Sequence, residues 1–238
     1  MMPNTQTMRG LREKHPRTRV IVVDRRALWT FREMEPRIAK IFSQKNYSLK
    51  PPQIAMSNHT AMMHAKYELM QWTIRDNPFR SAYIAWLDVG FFRHLANQSV
   101  SSTVASNNLF QLGIPPDLHR DAVGYTVVVP SSPNPTLTAE AVVKANMVWL
   151  AGGFFIGRVD VMCRWTTEYL TAVEQMVSEN WMSADEHVII WLMLGEGKTK
   201  IHPRTNLQLY KTDDGSNPWF YLGYLAKKIG EQNSLRPT

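Results

Sequence analysis

The chain contains one cysteine and no long apolar run, and both shortages restrict what kind of protein it can be. Cys163 is the single cysteine among 238 residues, so an intramolecular disulfide is excluded. Its apolar surroundings, VDVMCRW, predict a buried structural thiol. No stretch approaches the roughly 18 apolar residues that a transmembrane helix needs. The basic N-terminus lacks the apolar core of a secretory signal, which predicts a cytoplasmic chain, or one in the secretory pathway if another segment precedes it.

Acidic residues are the scarcer charged class, and the excess of basic residues is concentrated near the N-terminus. The formal net charge is +7, from 27 Lys and Arg against 20 Asp and Glu. Before residue 27 the basic residues are Arg9, Arg12, Lys14, Arg17, Arg19, Arg25 and Arg26, and the acids are Glu13 and Asp24. Such a run can contact nucleic acid, an acidic membrane surface or a sugar diphosphate. No motif with aromatic residues between the basic ones accompanies this run, so a solvent-exposed basic surface is favoured and specific nucleic-acid binding is not expected. Contact of the run with a membrane surface remains an alternative.

Stretches typical of strands alternate with stretches typical of helices, which predicts an α/β domain whose sheet has helices on both faces. RVIVVD and YIAWLD read as buried parallel strands that each end in an acid, Asp24 and Asp88. Helices are predicted for residues 36–42, 60–75, 138–147, 159–180 and 183–197. One domain spanning residues 1–238 is expected, with residues 1–18 forming a basic, loosely ordered N-terminal segment.

The acid at the end of YIAWLD, Asp88, is the first candidate for a functional residue. Ligands in open α/β sheets bind beyond the carboxyl ends of the strands, where Asp88 would lie, together with Asp24 if the two strands are parallel neighbours. Gly90, two positions further on, lets a ligand approach the backbone closely. A magnesium or manganese ion bound by one or two carboxylates and by diphosphate oxygens would suit this position. The alternative is that Asp88 caps a turn or pairs with Arg93.

The second candidate is the glycine-rich stretch WLAGGFFIG, residues 149–157. Gly152 and Gly153 let the main chain pass beside a flat ligand, and Phe154 or Phe155 could offer a face on which a sugar stacks. The stretch lacks the ending of a P-loop and does not match the Rossmann fingerprint. A bulged strand without any function explains the pattern equally well.

The third candidate is the sequence SADEH, residues 183–187. Asp185 or Glu186 could act as a base or bind an acceptor, but acids in the first turn of a helix are also favoured by the helix dipole. His187 and His202 could be ligands or proton carriers, although no spacing singles them out, and no HExxH motif is present. Lys66 interrupts an apolar helical face and could reach a phosphate, or extend to water.

Taken in order, these pieces resemble one family over roughly residues 19 to 225. HAKYELMQWTIRDNPFRSAYIAWLDVGFFR resembles the signature stretch of the HtrL/YibB (WlaTC/HtrL) glycosyltransferase-like proteins. In that stretch a helix bearing a lysine is followed by an Asn-Pro-Phe turn and by a strand that ends in Trp, a hydrophobic residue and Asp. WLAGGFFIGRVDVM and ADEHVIIWLM resemble the same family's glycine-rich strand and its later acidic motif.

The resemblance implies a GT-A-like fold, with a mixed sheet flanked by helices, and transfer of a sugar from a nucleotide-sugar donor to a saccharide or lipid-linked acceptor. Asp88 would take the place of the metal-contacting acid, with Mn²⁺ or Mg²⁺ as the cofactor. The implied substrate-binding residues are Lys66, Arg93, Gly152, Gly153 and Phe154, and the implied catalytic residues near the transferring carbon are Asp185 and Glu186.

Two features depart from the family pattern. WLDVG has one carboxylate where a full Asp-X-Asp motif has two, which implies weaker metal binding. The strands that usually precede the segment matching RVIVVD are not found, so the chain is expected to be N-terminally incomplete and to have reduced activity. The alternative function is a non-catalytic sugar- or nucleotide-binding relic of the family, and a weaker one, resting on charge alone, is nucleic-acid binding.

Overall fold

The structure is a computed structural model and describes residues 18–44, 47, 56–92, 112–213 and 215–234. Arg93 and residues 1–17 of the predicted basic segment lie outside the described residues. The helices are α1 (Glu35–Phe42), α2 (Ser57–Asp76), α3 (Ala139–Ala145), α4 (Val159–Ser178), α5 (Asp185–Leu194), α6 (Gly197–Ile201) and α7 (Tyr221–Ser234), and the strands are β1 (Tyr83–Leu87), β2 (Ala122–Thr126), β3 (Phe154–Arg158) and β4 (Asn206–Tyr210). A 3₁₀ turn, Arg25–Ala27, and a π-helical turn, Thr30–Met34, precede α1. Within these ranges no helix is long and apolar enough to cross a bilayer.

The four strands form one mixed sheet in the order β1-β3-β2-β4. β3 is antiparallel to both β1 and β2, whereas β2 and β4 are parallel, so β1, β2 and β4 all run in the same direction. The predicted architecture of a mixed sheet flanked by helices is therefore confirmed. β1 lies at an edge of the sheet, and the register that pairs Leu87 with Phe154 places the end of β1 beside the start of β3.

Both faces of the sheet are covered, because successive side chains of a strand point to opposite faces. On one face Phe155 of β3 packs in the large core that also contains Met162 and Trp165 of α4. On the other face Phe154 packs in a smaller core that also contains Leu222 of α7. The continuous apolar pattern of β3 follows from this burial on two sides.

The run RVIVVD is not a strand, and the prediction that it forms one is wrong. Residues 19–24 make no sheet pairing, and the side chains of Ile21 and Val22 are 56% and 59% exposed. Asp24 is exposed and caps the following 3₁₀ turn, where its Oδ1 accepts a hydrogen bond of 2.9 Å from the backbone N–H of Arg26. A β-branched run cannot hold a strand conformation without a partner strand, and no described strand lies beside it. Asp24 therefore does not lie with Asp88 at the carboxyl ends of neighbouring strands.

The thiol of Cys163 is exposed, which contradicts the predicted buried position. Its neighbours Val161, Met162 and Trp165 are buried, whereas Cys163 lies on the outer face of the same helix, α4. An apolar run identifies a buried helix but does not by itself place each residue of that run on the buried face.

We expect Phe155→Ala to lower the free energy of unfolding by about 3–5 kcal/mol, because the substitution leaves a cavity in the large core. The Phe155 ring is fully buried and stacks at 5.4 Å from Tyr67 and at 4.9 Å from Tyr125. Phe79, which is 53% exposed, provides the matched control. Phe79→Ala should change stability by no more than about 0.5 kcal/mol. Urea unfolding of both variants checks the difference, and equal stability would contradict the described packing.

Candidate functional site

A cleft of about 390 Å³ opens at the end of the sheet where β1 stops and β3 begins. The cleft lies at the carboxyl ends of β1 and β2, which run in the same direction on either side of β3. Asp88, which follows β1, lines it, and Ala151, which precedes Gly152, donates its backbone N–H to Thr126 O at the end of β2 at 3.0 Å. This is the usual ligand position in open α/β sheets. Six side chains or glycines from four parts of the chain define its chemistry: Lys66, Asp88, Gly152, Gly153, Asp185 and Glu186. All six are residues that the sequence predicted for the site.

Asp88 follows the last residue of β1, and its carboxylate is half-buried in the wall of the cleft. Its Oδ1 accepts a hydrogen bond of 2.6 Å from Trp86 Nε1, while its backbone N–H bonds to Gly153 O at 3.0 Å. No ion pair of Asp88 with a basic side chain is found within the described ranges, and the proposed partner Arg93 lies outside them. One carboxylate oxygen is thus fixed by an indole, and the other, Oδ2, lies toward the glycine pair.

The glycine pair allows three carboxyl groups to approach one stretch of backbone. A Cβ atom on Gly152 would lie 2.5 Å from Asp185 Oδ2 and 3.4 Å from Glu186 Oε1. A Cβ atom on Gly153 would lie 3.3 Å from Asp88 Oδ2. A side chain at Gly152 would therefore overlap the Asp185 carboxylate, whereas one at Gly153 would need small shifts of its neighbours. Both glycines belong to the turn that leads into β3.

Lys66 and Asp185 form a buried ion pair of 2.8 Å at the floor of the cleft, with side chains only 8% and 1% exposed. Lys66 Nζ also donates to Gly152 O at 3.1 Å. Burial alone would raise the pKa of Asp185, but the Lys66 ammonium outweighs burial and lowers it. In the same way burial would lower the pKa of Lys66, and the charge of Asp185 raises it instead. Lys66 therefore neither extends to water nor stands free to neutralise a phosphate.

Glu186 is the unusual acid of the site. Burial, together with the negative charge of Asp185, raises the pKa of Glu186 from 4.5 to about 8. At neutral pH most molecules therefore carry a protonated Glu186, which can donate a hydrogen bond. The predicted role of base fits neither acid at pH 7, because Glu186 is protonated and Asp185 is held by Lys66.

Polar side chains behind the floor support this arrangement without lining the cleft. His64 Nδ1 lies 2.7 Å from Tyr169 Oη, and His64 Nε2 lies 3.1 Å from Ser183 O, one residue ahead of α5's N-cap. Burial lowers the pKa of His64, and likewise that of His187, to about 4, so both rings are neutral at pH 7. His187 Nδ1 is buried, and no residue that the structure describes forms a hydrogen bond with it. His202 caps the end of α6 and does not border the cleft, so neither predicted histidine faces a ligand there.

Phe154 does not line the cleft, which corrects its predicted role in substrate binding. Its ring is 2% exposed and packs in the smaller core 6.0 Å from the ring of Phe91, because its position in β3 directs it to that face of the sheet. Phe155 is buried on the opposite face. The aromatic residue exposed in the cleft is Trp219, which sequence reasoning missed because it lies in an aromatic-rich tail with no distinguishing spacing.

The donor atoms at Asp88 fit a divalent metal ion only if the ligand supplies most of the coordination. Within the described part of the chain, no group of three or more His, Cys, Asp and Glu side chains is arranged to hold a metal ion. One carboxylate oxygen, Asp88 Oδ2, borders the cleft without a described hydrogen bond. Magnesium and manganese are commonly held by one or two carboxylates and by phosphate oxygens of a substrate, and this arrangement is compatible with the site.

No family model, curated protein or solved structure matches this chain. The resemblance to the glycosyltransferase-like family therefore stays a prediction, and the placement of the residues in the cleft carries the functional argument.

We expect Lys66→Met to lower the free energy of unfolding by about 3–5 kcal/mol, because it leaves the Asp185 carboxylate buried without a partner. The double variant with Asp185→Leu should recover most of that loss, since both charges are then removed. Lys144→Met is the matched control, because Lys144 and its partner Glu140 are about half exposed. That exposed pair should contribute at most about 1 kcal/mol. Equal losses for Lys66→Met and Lys144→Met in urea unfolding would contradict the buried pair.

We expect the stability of the wild type to fall as the pH rises from about 7.5 to about 8.5, and Glu186→Gln to remove this fall. The pKa of Glu186 is higher in the fold than its ordinary 4.5, so its stabilising contribution is complete below pH 4.5 and is lost as the pH rises through about 8. The slope is at most about 1.4 kcal/mol per pH unit. The two buried histidines act in the opposite direction, because in the unfolded chain they titrate near 6.5 and release their protons as the pH rises, and this contribution has largely ended by about pH 7.5.

Glu174→Gln, at a position with a 61% exposed side chain, is the control and should keep the wild-type slope. The measurement is urea unfolding at half-unit steps of pH. A wild-type slope that persists in Glu186→Gln would show that another group causes it.

Proposed function

We propose that the chain is a metal-dependent glycosyltransferase with a GT-A-like fold that moves a sugar from a nucleotide-sugar donor to a saccharide or lipid-linked acceptor. The observation that carries the proposal is the meeting of Asp88, the glycine pair and the acids of α5 in one cleft. These residues are distant in the sequence and come from separate elements, and the cleft lies where α/β sheets bind ligands. A half-buried carboxyl group there, which forms no ion pair with a basic side chain in the described ranges, favours a bound cation.

The donor would bind with its diphosphate near Asp88. Asp88 Oδ2 would hold a Mn²⁺ or Mg²⁺ ion that stabilises the negative charge building on the departing diphosphate. Without a metal ion, the described residues of the cleft offer the diphosphate little positive charge, because Lys66 is already paired with Asp185. Trp86 keeps the Asp88 carboxylate oriented through the hydrogen bond to Oδ1. Metal dependence is therefore an integral part of the proposal.

The sugar of the donor would lie over the glycine pair, beside the two acids of α5. Lys66 fixes the position of Asp185, whose carboxylate can accept a hydrogen bond from a sugar hydroxyl. Glu186, protonated at neutral pH, donates its proton to the Asp185 carboxylate and can accept a hydrogen bond from another sugar hydroxyl. In the transfer the acceptor oxygen bonds to the anomeric carbon as the bond from that carbon to the phosphate oxygen breaks. The acceptor's proton then passes to a phosphate oxygen, because neither acid is a free base at pH 7.

A non-catalytic sugar- or nucleotide-binding protein of the same family is the second candidate. The observation that favours it is the single carboxylate oxygen available to a metal ion in the described part of the chain. Such a protein would bind a donor or an acceptor in the same cleft without turnover. The two candidates differ in one measurable result, since the transferase releases nucleotide from the nucleotide sugar and the binding protein does not.

Asp88→Asn should slow the manganese-dependent release of nucleotide from nucleotide sugars by on the order of 100-fold or more, the usual cost of removing one preorganised group that stabilises charge. Asparagine keeps the shape of the side chain and an oxygen for Trp86. The measurement is free nucleotide released from a panel of UDP-, GDP- and CMP-sugars with Mn²⁺ or with EDTA. Asp24→Asn, which changes an exposed turn-capping acid, should match the wild type.

Unchanged release by Asp88→Asn would reject the assignment of Asp88. Donor binding by the wild type without any release, over the whole panel and with Mn²⁺ present, would select the non-catalytic candidate. Urea unfolding of the variants verifies that each remains folded, so that a loss of release reports on the site.

A further inference from the structure

Trp219 presents an unoccupied aromatic face at the mouth of the cleft. It lies on the loop before α7, lines the cleft and is 40% exposed. Its indole ring has neither a hydrogen bond nor a stacking partner among the residues that the structure describes, whereas the other aromatic rings of the cleft, Phe91 and Phe220, contact each other. An exposed tryptophan without partners beside a polar cavity is typical of a ligand-stacking residue.

The loop that carries Trp219 is fixed by contacts on both sides of the residue. The backbone N–H of Trp219 bonds to Asn217 Oδ1 at 3.0 Å. The adjacent ring of Phe220 packs edge-on against Phe91 at 5.1 Å, and Leu222 N–H bonds to Thr126 Oγ1 at 3.1 Å at the end of β2. The backbone that carries the indole is thereby held in place by the smaller core and by the sheet, so a ligand would meet the indole on a fixed loop.

The charges of the cleft indicate which ligand fits this surface. Lys66 is the only lysine or arginine among the described residues that line it, and Lys66 is committed to Asp185. The remaining acids are Asp88 and Glu186, so the cleft by itself repels anions and offers carboxyl groups to hydroxyls. A neutral sugar matches both features, because its hydroxyls bond to carboxyl oxygens and one face of its ring carries C–H groups that pack on an indole. A nucleobase is also flat, but in a nucleotide it is attached to phosphates, which the acids of the cleft repel.

We propose that Trp219 and the carboxyl groups of the cleft form a subsite for a neutral sugar ring, which binds without a metal ion. The sugar is the acceptor in the proposed transfer, and this part of the inference rests on the proposed function. The ring lies on the exposed face of Trp219, and its hydroxyls point to the carboxyl groups inside. Phe154 and Phe155, the stacking residues expected from the sequence, cannot serve because both are buried.

The test measures binding of methyl glycosides of glucose, galactose, mannose and N-acetylglucosamine by ligand-observed NMR in the presence of EDTA. At least one glycoside should bind the wild type, and Trp219→Ala should weaken that binding about tenfold, a loss typical of removing one stacking surface. Trp219→Phe, which keeps a flat ring, should stay within about threefold of the wild type. Phe79→Ala removes an exposed aromatic that does not line the cleft and should have no effect.

Glucose 1-phosphate tests the charge argument, since without metal it should bind more weakly than methyl glucoside. The proposal is overturned if none of the glycosides binds the wild type, if Trp219→Ala binds as well as the wild type, or if the phosphate binds more tightly in EDTA. Trp219 is exposed, so its substitution should leave folding nearly unchanged.

The results separate this proposal from the proposed function. Glycoside binding that depends on Trp219, without release of nucleotide from any donor, would support the subsite and reject the transferase. Release of nucleotide that depends on Asp88, without glycoside binding, would support the transferase and reject the subsite.

Discussion

The buried ion pair between Lys66 and Asp185 is the interaction on which the site depends. It joins the middle of α2 to the first turn of α5, and the second hydrogen bond of Lys66 attaches the same ammonium to the carbonyl of Gly152. Three separate parts of the chain are thus fixed around one charge. The pair also sets the protonation of its neighbour, because a charged Asp185 beside Glu186 favours a neutral Glu186. The geometry and the charge of the cleft therefore have a common origin.

The order of the strands explains why so many distant residues reach the cleft. β3 runs antiparallel between β1 and β2, so the start of β3 lies at the edge where its two neighbours end. The acid at the end of β1 and the glycine pair before β3 consequently meet, although the two strands are far apart in the sequence. Glycine is needed there because a side chain on Gly152 would overlap the carboxylate of Asp185. A mixed sheet brings together a strand end and a strand start that a purely parallel sheet would separate.

Sequence reasoning identified much of the cleft and less of its chemistry. The α/β fold with α2, α4 and α5 followed from the pattern of apolar residues, and the mixed sheet followed from the family resemblance. The residues of the cleft stood out as polar residues or glycines in or beside apolar runs: Lys66, Asp88, Gly152, Gly153, Asp185 and Glu186. The pattern could not show that Lys66 pairs with Asp185, since side-chain pairing depends on tertiary distance. It also misjudged RVIVVD, Phe154 and Cys163, because strand formation needs a partner and burial depends on which face a residue occupies. Trp219 carried no local signal, since its role depends on where the tail folds back.

The hydrogen bond from Trp86 to Asp88 gives the protein an optical property as well as an oriented carboxylate. The indole donates directly to Asp88 Oδ1 at 2.6 Å and is itself only half-buried in β1. Indole emission responds to nearby charge, so neutralising Asp88 by a proton or by a cation shifts the spectrum of this one tryptophan. Trp86 is therefore a fluorophore that reports the charge of the carboxylate, and its signal among the eight tryptophans of the chain is the part that Trp86→Phe removes.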